Sequence, residues 1–272
     1  MSDLLITIIL GIIEGITEFL PVSSTGHLIV ATALLNPGFD AVTAATFNIF
    51  IQFGAVLAMI VFYRAELMTQ VRTVRTDRSV QRFWLAIAVA FVPAAVVGVL
   101  ARGFIKEHLF NPTVVAVMLV IGGLLLIAVE RIPALTRREH TTDTSQISVK
   151  QALLIGVAQC FAYLPGMSRS AMSIIGGMVA GLDRQAATRF SFFLAIPTLG
   201  LATLADFVLS LDEIDPAYLP YFLIGAVAAF FAALVTVRWL LRYVSGHSYI
   251  PFGLYRIAVG ILVAILFTSF IQ

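Results

Sequence analysis

The 272-residue sequence is 60% hydrophobic and only 12% charged, whereas a soluble domain carries about 25% charged residues, and its mean hydropathy is +1.00. Those values exclude a water-soluble globule, a disordered chain, a coiled coil and collagen. Seventeen Lys and Arg against fifteen Asp and Glu leave a net charge of +2, too little for a nucleic-acid surface, and the single cysteine, Cys160, excludes an intrachain disulfide framework or a CxxC motif.

Met1-Ser2-Asp3 puts an acidic residue and no Lys or Arg ahead of the first apolar run, unlike the basic start of a cleaved signal peptide, so that segment is expected to stay. This first stretch, 4–35, is broken at Pro21-Val22-Ser23-Ser24-Thr25-Gly26, with a helix expected to restart near His27-Leu28. Three uninterrupted apolar stretches follow, at 43–63, 83–101 and 113–130, each of the roughly 20 residues that a helix needs to cross a membrane. After a polar linker at 131–148, which includes Arg137, Arg138, Glu139, His140 and Asp143, the pattern begins again. Stretch 149–182 is broken at Pro165-Gly166-Met167-Ser168-Arg169-Ser170, and full-length spans are expected at 187–209, 219–242 and 251–271. Non-helical backbone survives at membrane depth only when protein or a watery cavity surrounds it. The two broken stretches therefore read as re-entrant helix-loop-helix hairpins, and the fold as an all-α integral membrane protein with six transmembrane helices.

The order hairpin, three spans, hairpin, three spans divides the chain into halves 1–140 and 141–272. Three crossings are odd, so the second half enters from the opposite side. Leu20-Pro21-Val22-Ser23-Ser24 recurs as Leu164-Pro165-Gly166-Met167-Ser168, and Gly11 and Glu14 match Gly156 and Gln159 with one residue of slippage. Phe47-Asn48-Ile49-Phe50-Ile51 recurs as Phe190-Ser191-Phe192-Phe193-Leu194, 26 residues past the first proline and 25 past the second. This is the pattern of an inverted repeat, whose binding site is expected where the broken helices meet. Arg64, Arg72, Arg75, Arg78 and Arg82, the linker cations with Lys150, and Arg184, Arg189 and Arg242 mark the cytoplasmic ends by the positive-inside rule. The connections 36–42, 102–112 (Arg102, Lys106) and 210–218 (Asp212, Glu213, Asp215) then fall outside.

Glu14 and Glu18 lie four residues apart, on one face of a helix in an otherwise uncharged run. A carboxylate at the bilayer centre costs about 2.5–3.5 kcal/mol on insertion scales, so a cation is expected to face them. A hard divalent ion, Mg²⁺ or Ca²⁺, binds such carboxylates together with phosphate oxygens. Ser23, Ser24, Thr25 and Gly26 end in a helix start, whose free N–H groups suit an anion. His27, three residues after Ser24, is a candidate general base for that hydroxyl. The second tip carries Ser168, Arg169 and Ser170, again just before a helix; the guanidinium fork binds phosphate bidentately. If the tips meet, a metal pair, a nucleophile, a base and a phosphate clamp share one site suited to phosphoryl transfer.

The run Glu14-Gly15-Ile16-Thr17-Glu18-Phe19-Leu20-Pro21-Val22-Ser23-Ser24-Thr25-Gly26-His27 closely resembles the first signature of the undecaprenyl-diphosphatase family, the bacitracin-resistance type of bacterial membrane phosphatase. Leu164 to Ser170 resembles the second signature, and length and span order agree along the chain. The family pattern continues Gly-any-Thr where this chain has Ala171, Met172 and Ser173; Ser173 keeps the hydroxyl, and Ala171 lacks a glycine of that turn. The resemblance implies hydrolysis of undecaprenyl diphosphate to undecaprenyl phosphate and inorganic phosphate in the bacterial inner membrane. That reaction recycles the lipid carrier for cell-wall synthesis and gives bacitracin resistance, with a divalent cation and a site open to the outer, periplasmic side. It implies metal and phosphate roles for Glu14 and Glu18, nucleophile or phosphate contact for Ser24, acid-base work for His27 and phosphate binding for Arg169. The partners expected are the polyprenyl diphosphate and membrane lipids. The rival reading is a secondary transporter or lipid-carrier flippase, because inverted repeats with broken helices recur there.

Overall fold

The computed structural model describes residues 2–104, 108–109, 111–132, 141–210 and 215–269. Lys106, Arg137, Arg138, Glu139, His140, Asp212, Glu213 and the last residues of the span expected at 251–271 lie outside the described residues. Among the described residues every regular element is a helix, and one isolated bridge pairs Thr141 with Leu182. In order, α1 is Asp3–Thr17, α2 Ser24–Leu35, α3 Ala41–Phe62, α4 Arg64–Thr73, α5 Arg78–Phe104 and α6 Pro112–Arg131; then α7 Val149–Cys160, α8 Arg169–Val179, α9 Arg184–Ser210, α10 Leu219–Val244 and α11 Ile250–Ser269.

Among the described residues, six helices are long and apolar enough to cross a membrane: Thr43–Phe62, Arg78–Ala101, Pro112–Arg131, Arg184–Ser210, Pro216–Val244 and Ile250–Phe267. They coincide with the six spans expected from hydropathy. Polarity is arranged inside out: Val99, Leu100 and Val235 are among the most exposed residues, while Glu14, Glu18, Ser170, Ser191 and Arg256 are buried. An apolar exterior of this extent fits hydrocarbon, not water, and the chain is a multi-pass membrane protein.

Both broken stretches fold as helix pairs, α1 with α2 and α7 with α8. Neither tip is a plain turn. Ser23 and Ser168 cap α2 and α8 through their own hydroxyls, which accept from the Gly26 and Ala171 amides, and both take positive φ, 73° and 75°. A non-glycine residue there carries backbone strain of about 1–3 kcal/mol. The caps correct one expectation: α2 starts at Ser24, not near His27, because Ser23 is already the cap. They also place Ser23 and Ser168 in matching positions, one residue off the register of the two prolines. The second tip absorbs the extra residue at Gly166, whose φ is +97° and where a Cβ would collide with the Val115 main chain.

The helices pack in pairs that cross the chain's midpoint. α1 lies along α10, α7 along α5, and α6 along α11, while α3 sits between α10 and α9. Small residues let the backbones approach: a Cβ on Gly15 would run into Ala229 of α10, and one on Gly156 into Ala90 of α5. In lipid, where apolar burial drives little association, such close contacts supply much of the attraction between helices. The largest core cluster surrounds α8 and α9, with Phe19 of the first tip packed edge-on against Phe192 at 5.4 Å between ring centroids. α8 is covered on nearly every side, since Ser170 through Met178 are all buried.

Candidate active site

The two tips meet. Arg169, the first residue of α8, donates from Nη2 to Oε1 of Glu18 at 2.8 Å, and Glu18 follows α1 directly. Ser24, the first residue of α2, donates its hydroxyl to the other oxygen, Oε2, at 2.6 Å. One carboxylate thus links a serine of the first tip to the arginine of the second. The tips are also tied beside the site, where Ser170 Oγ donates to the Leu20 carbonyl at 2.8 Å. The guanidinium lies over the Phe19 ring, 5.7 Å from its centroid, which dries one face of it.

A cavity of about 240 Å³ opens over this contact, lined by Glu18, Ser23, Ser24, Thr25, Ser168 and Arg169, with Gln52, Gln159, Tyr163, Gly166 and Thr198 among its other walls. It is smaller than the roughly 300–1,000 Å³ of a pocket for a drug-sized ligand, a size that suits a small polar group. The N-termini of α2 and α8 both begin at its wall, where Ser23, Ser24, Thr25, Ser168 and Arg169 stand. Two helix dipoles with free first-turn amides raise the potential for an anion at one place. Nε of Arg169 is buried without a partner, a donor left for a ligand.

The remaining expected residues are placed as follows. Gly26 lies behind the first tip against Leu119. Ser173 Oγ donates to the Arg169 carbonyl at 2.9 Å and shares a 2.6 Å hydrogen bond with Ser191 Oγ; it supports Arg169 and does not line the cavity. Ala171, where the family pattern has glycine, is fully buried and its amide completes the Ser168 cap. Both ring nitrogens of His27 are engaged with groups other than the Ser24 hydroxyl. Its Nδ1 contacts the Ser23 carbonyl at 2.7 Å and its Nε2 the Tyr255 hydroxyl at 2.7 Å. A carbonyl only accepts, so Nδ1 carries the proton and Nε2 accepts from Tyr255. In this arrangement the imidazole braces the strained Ser23 turn, and Glu18 is the acceptor at Ser24. Tyr255→Phe is therefore expected to keep the fold and lower turnover several-fold by loosening His27; unchanged turnover in a phosphate-release assay would remove Tyr255 from the support of the tip.

Glu14 is fully buried, its two carboxylate oxygens have no hydrogen-bond partner, and its carboxyl lies beside that of Glu18. Adjacent buried carboxyls need a proton or a cation between them. Two hard oxygen donors are of the kind that Mg²⁺ or Ca²⁺ takes, but Glu14 lies behind Glu18 and does not line the cavity, and no cluster of three or more His, Cys, Asp or Glu exists among the described residues.

Several residues at the site escape a reading of the sequence alone. Ser191 accepts from Arg169 Nη1 through its carbonyl at 3.2 Å; it is the polar position in the recurring phenylalanine motif, at the place of Asn48. Gln159 lines the cavity with both amide atoms unpartnered; its signal is the match to Glu14. Arg256, in the second turn of α11, escapes it too, although its signal is the one that marks Arg169, a lone arginine inside an apolar stretch.

A family profile described as "Bacitracin resistance protein BacA" matches residues 7–262. The chain belongs to the BacA family. Among the relatives of this BacA-family chain, a protein named undecaprenyl-diphosphatase from Verminephrobacter eiseniae (strain EF01-2) is 47% identical over 257 residues, covering 94% of this chain and 92% of that protein. Another of that name from Deinococcus radiodurans is 46% identical over 265 residues, 97% and 95% of the two chains. A third, from Pseudomonas aeruginosa, is 46% identical over 256 residues, 94% and 90%. The matched family region spans both tips, so it includes Glu18, Ser24 and Arg169.

Proposed function

We propose that this BacA-family protein hydrolyses undecaprenyl diphosphate to undecaprenyl phosphate and inorganic phosphate, the activity its relatives are named for, and thereby returns the lipid carrier to cell-wall synthesis. The observation that carries the reading is the chain Ser24–Glu18–Arg169 at the point where two helix N-termini face one small cavity. Ser24 Oγ attacks the terminal phosphorus while its proton passes to Glu18, and the bond to the bridging oxygen breaks. Glu18 gives that proton to the departing undecaprenyl phosphate. A water then cleaves the phosphoserine; Glu18 takes one of its protons and returns it to Ser24 Oγ, and inorganic phosphate leaves. Arg169 and the amides of α2 and α8 hold the equatorial oxygens, where charge accumulates. Ser23, Thr25 and Ser168 add hydroxyls at the wall. His27, Gly26, Ser170 and Ser173 hold the two tips in shape.

Glu14 with Glu18 would bind the divalent cation, which when present neutralises phosphate charge. Purified protein is expected to lose phosphate release in excess chelator and regain it with Mg²⁺ or Ca²⁺; activity indifferent to chelator would remove the metal from the proposal.

The exchanged packing of α1 on α10 and α7 on α5, with matched strained caps, supports re-entrant hairpins in an inverted repeat with halves 1–140 and 141–272. On this reading hairpin one enters from outside and hairpin two from the cytoplasm, and the cavity opens to the periplasmic side of the bacterial inner membrane. The polyprenyl chain leaves sideways: an apolar groove of about 800 Å³ between α1 and α10, bounded by Ile12, Ile16, Phe231 and Val235, ends at Leu20 beside the tip.

A transporter or flippase would share the architecture; the serine hydroxyl bonded to a carboxylate beside Arg169 favours hydrolysis, because it supplies a nucleophile and its base together. Phosphate release from undecaprenyl diphosphate by protein in detergent, where no gradient exists, with a trapped phosphoserine at Ser24, is the expected result. Inert protein there, with lipid movement in vesicles, would reverse the ranking.

A further inference from the structure

Arg256 of α11 is completely buried, and all four of its hydrogen bonds go to main-chain carbonyls. Nη1 donates to Pro21 at 3.2 Å and Nη2 to Gly166 at 2.9 Å, one carbonyl from each tip. Nε donates to Leu119 at 3.4 Å and Nη2 also to Met118 at 3.3 Å, both in α6. None of the ion pairs among the described residues includes it. A guanidinium does not deprotonate in proteins, so an interior one is tolerated only when its donors are satisfied. Here carbonyls from three separate segments do that. The two tip carbonyls belong to residues that come just before the strained caps: Pro21 is two residues before Ser23, and Gly166 two before Ser168.

Room for this group is provided in α6. A Cβ at Gly122 would overlap Nη2 and Cζ of Arg256, so any larger residue there would have to displace the fork from its present place between the tips. The neighbouring Gly123 brings α6 and α11 together at the Gly253 carbonyl.

We infer that Arg256 is a positioning residue for the phosphate site: its fork sets the separation of the two tips, and hence the contact of Arg169 with Glu18 and Ser24. The inference rests on the hydrolytic reading above. It requires two-pronged geometry as well as charge, because one ammonium cannot span carbonyls on opposite tips while also holding α6.

The test uses full-length protein in detergent and compares Arg256→Lys, Arg256→Gln and Gly122→Ala with wild type. Two quantities are read: turnover per folded molecule, and the rise in thermal midpoint caused by inorganic phosphate, which reports the cavity without reference to any lipid. Displacing the catalytic groups by about an ångström is worth about a hundredfold. That loss of kcat is expected for both Arg256 variants, with Gly122→Ala in the same direction and the phosphate-induced midpoint rise reduced in all three. A purely structural role would lower the midpoint and the folded yield while leaving turnover per folded molecule unchanged, and that outcome overturns the inference. Arg256→Lys with wild-type turnover overturns it too, since charge alone would then suffice. If the Arg256 variants do not fold, Gly122→Ala decides: wild-type turnover and an undiminished phosphate response overturn the proposal. Wild-type protein that releases no phosphate from undecaprenyl diphosphate would count against the hydrolytic reading instead, and the phosphate response would still judge the tip geometry.

Discussion

Replacing Arg169 with alanine is expected to lower kcat by about two to three orders of magnitude, the usual effect of deleting one strong electrostatic donor from a transition-state site, with a smaller change in KM. The arginine holds Glu18 at 2.8 Å and keeps Nε free for a ligand, so its loss acts twice. Phosphate charge goes unbalanced in the transition state, and Glu18 is left buried without its cation. Truncating one partner of a buried pair costs about 3–5 kcal/mol, so a lower thermal midpoint is expected as well. Arg169→Lys separates the two effects, because an ammonium can pair with Glu18 but cannot also reach the Ser191 carbonyl as the fork does. Lysine is expected to restore much of the stability and little of the turnover. A rise in KM with kcat untouched would show that Arg169 binds ground state and transition state alike, against its role as a clamp on the developing charge.

Glu18→Gln is expected to have at least as large an effect, and to reveal the order of steps. Glutamine is close in shape, so the tip keeps its form, but the amide accepts Ser24's proton poorly and offers Arg169 no charge. Single-turnover experiments should then show no phosphoserine burst, where wild type shows one. Ser24→Ala should also show no burst, for lack of the oxygen itself. A Ser24→Ala enzyme with full turnover would rule out the covalent route and leave direct attack by water. If instead Glu18→Gln formed phosphoserine at the normal rate, the proton would be leaving Ser24 by another path, and His27 would regain the part that its hydrogen bonds to Ser23 and Tyr255 now argue against.

The spans are legible because hydropathy over a helix length is a local property, and all six helices stand where that signal puts them. The tips are legible for the opposite reason: Glu14, Glu18 and Arg169 are expensive in lipid, so their presence demands partners. Sequence offers less where the partner is a main-chain atom. Nothing at Ser23 announces a positive φ, so α2 begins at Ser24 and not at the expected His27-Leu28. Nothing along α11 tells that Arg256 reaches Pro21 and Gly166, which lie 235 and 90 residues before it. His27 is instructive in the same way. Its spacing from Ser24 suits proton transfer, yet helix α2 starts early enough that its ring falls back on the Ser23 carbonyl and finds Tyr255 on α11. Distances along the chain thus identify the groups at the site but not which of them touch.

Glu18 and Ser24 come from the amino-terminal half and Arg169 and Ser191 from the carboxy-terminal half, so no isolated half contains a complete reaction centre. Co-expressing fragments severed between α6 and α7 should therefore restore function only where the two pieces reassemble around the shared Glu18–Arg169 contact.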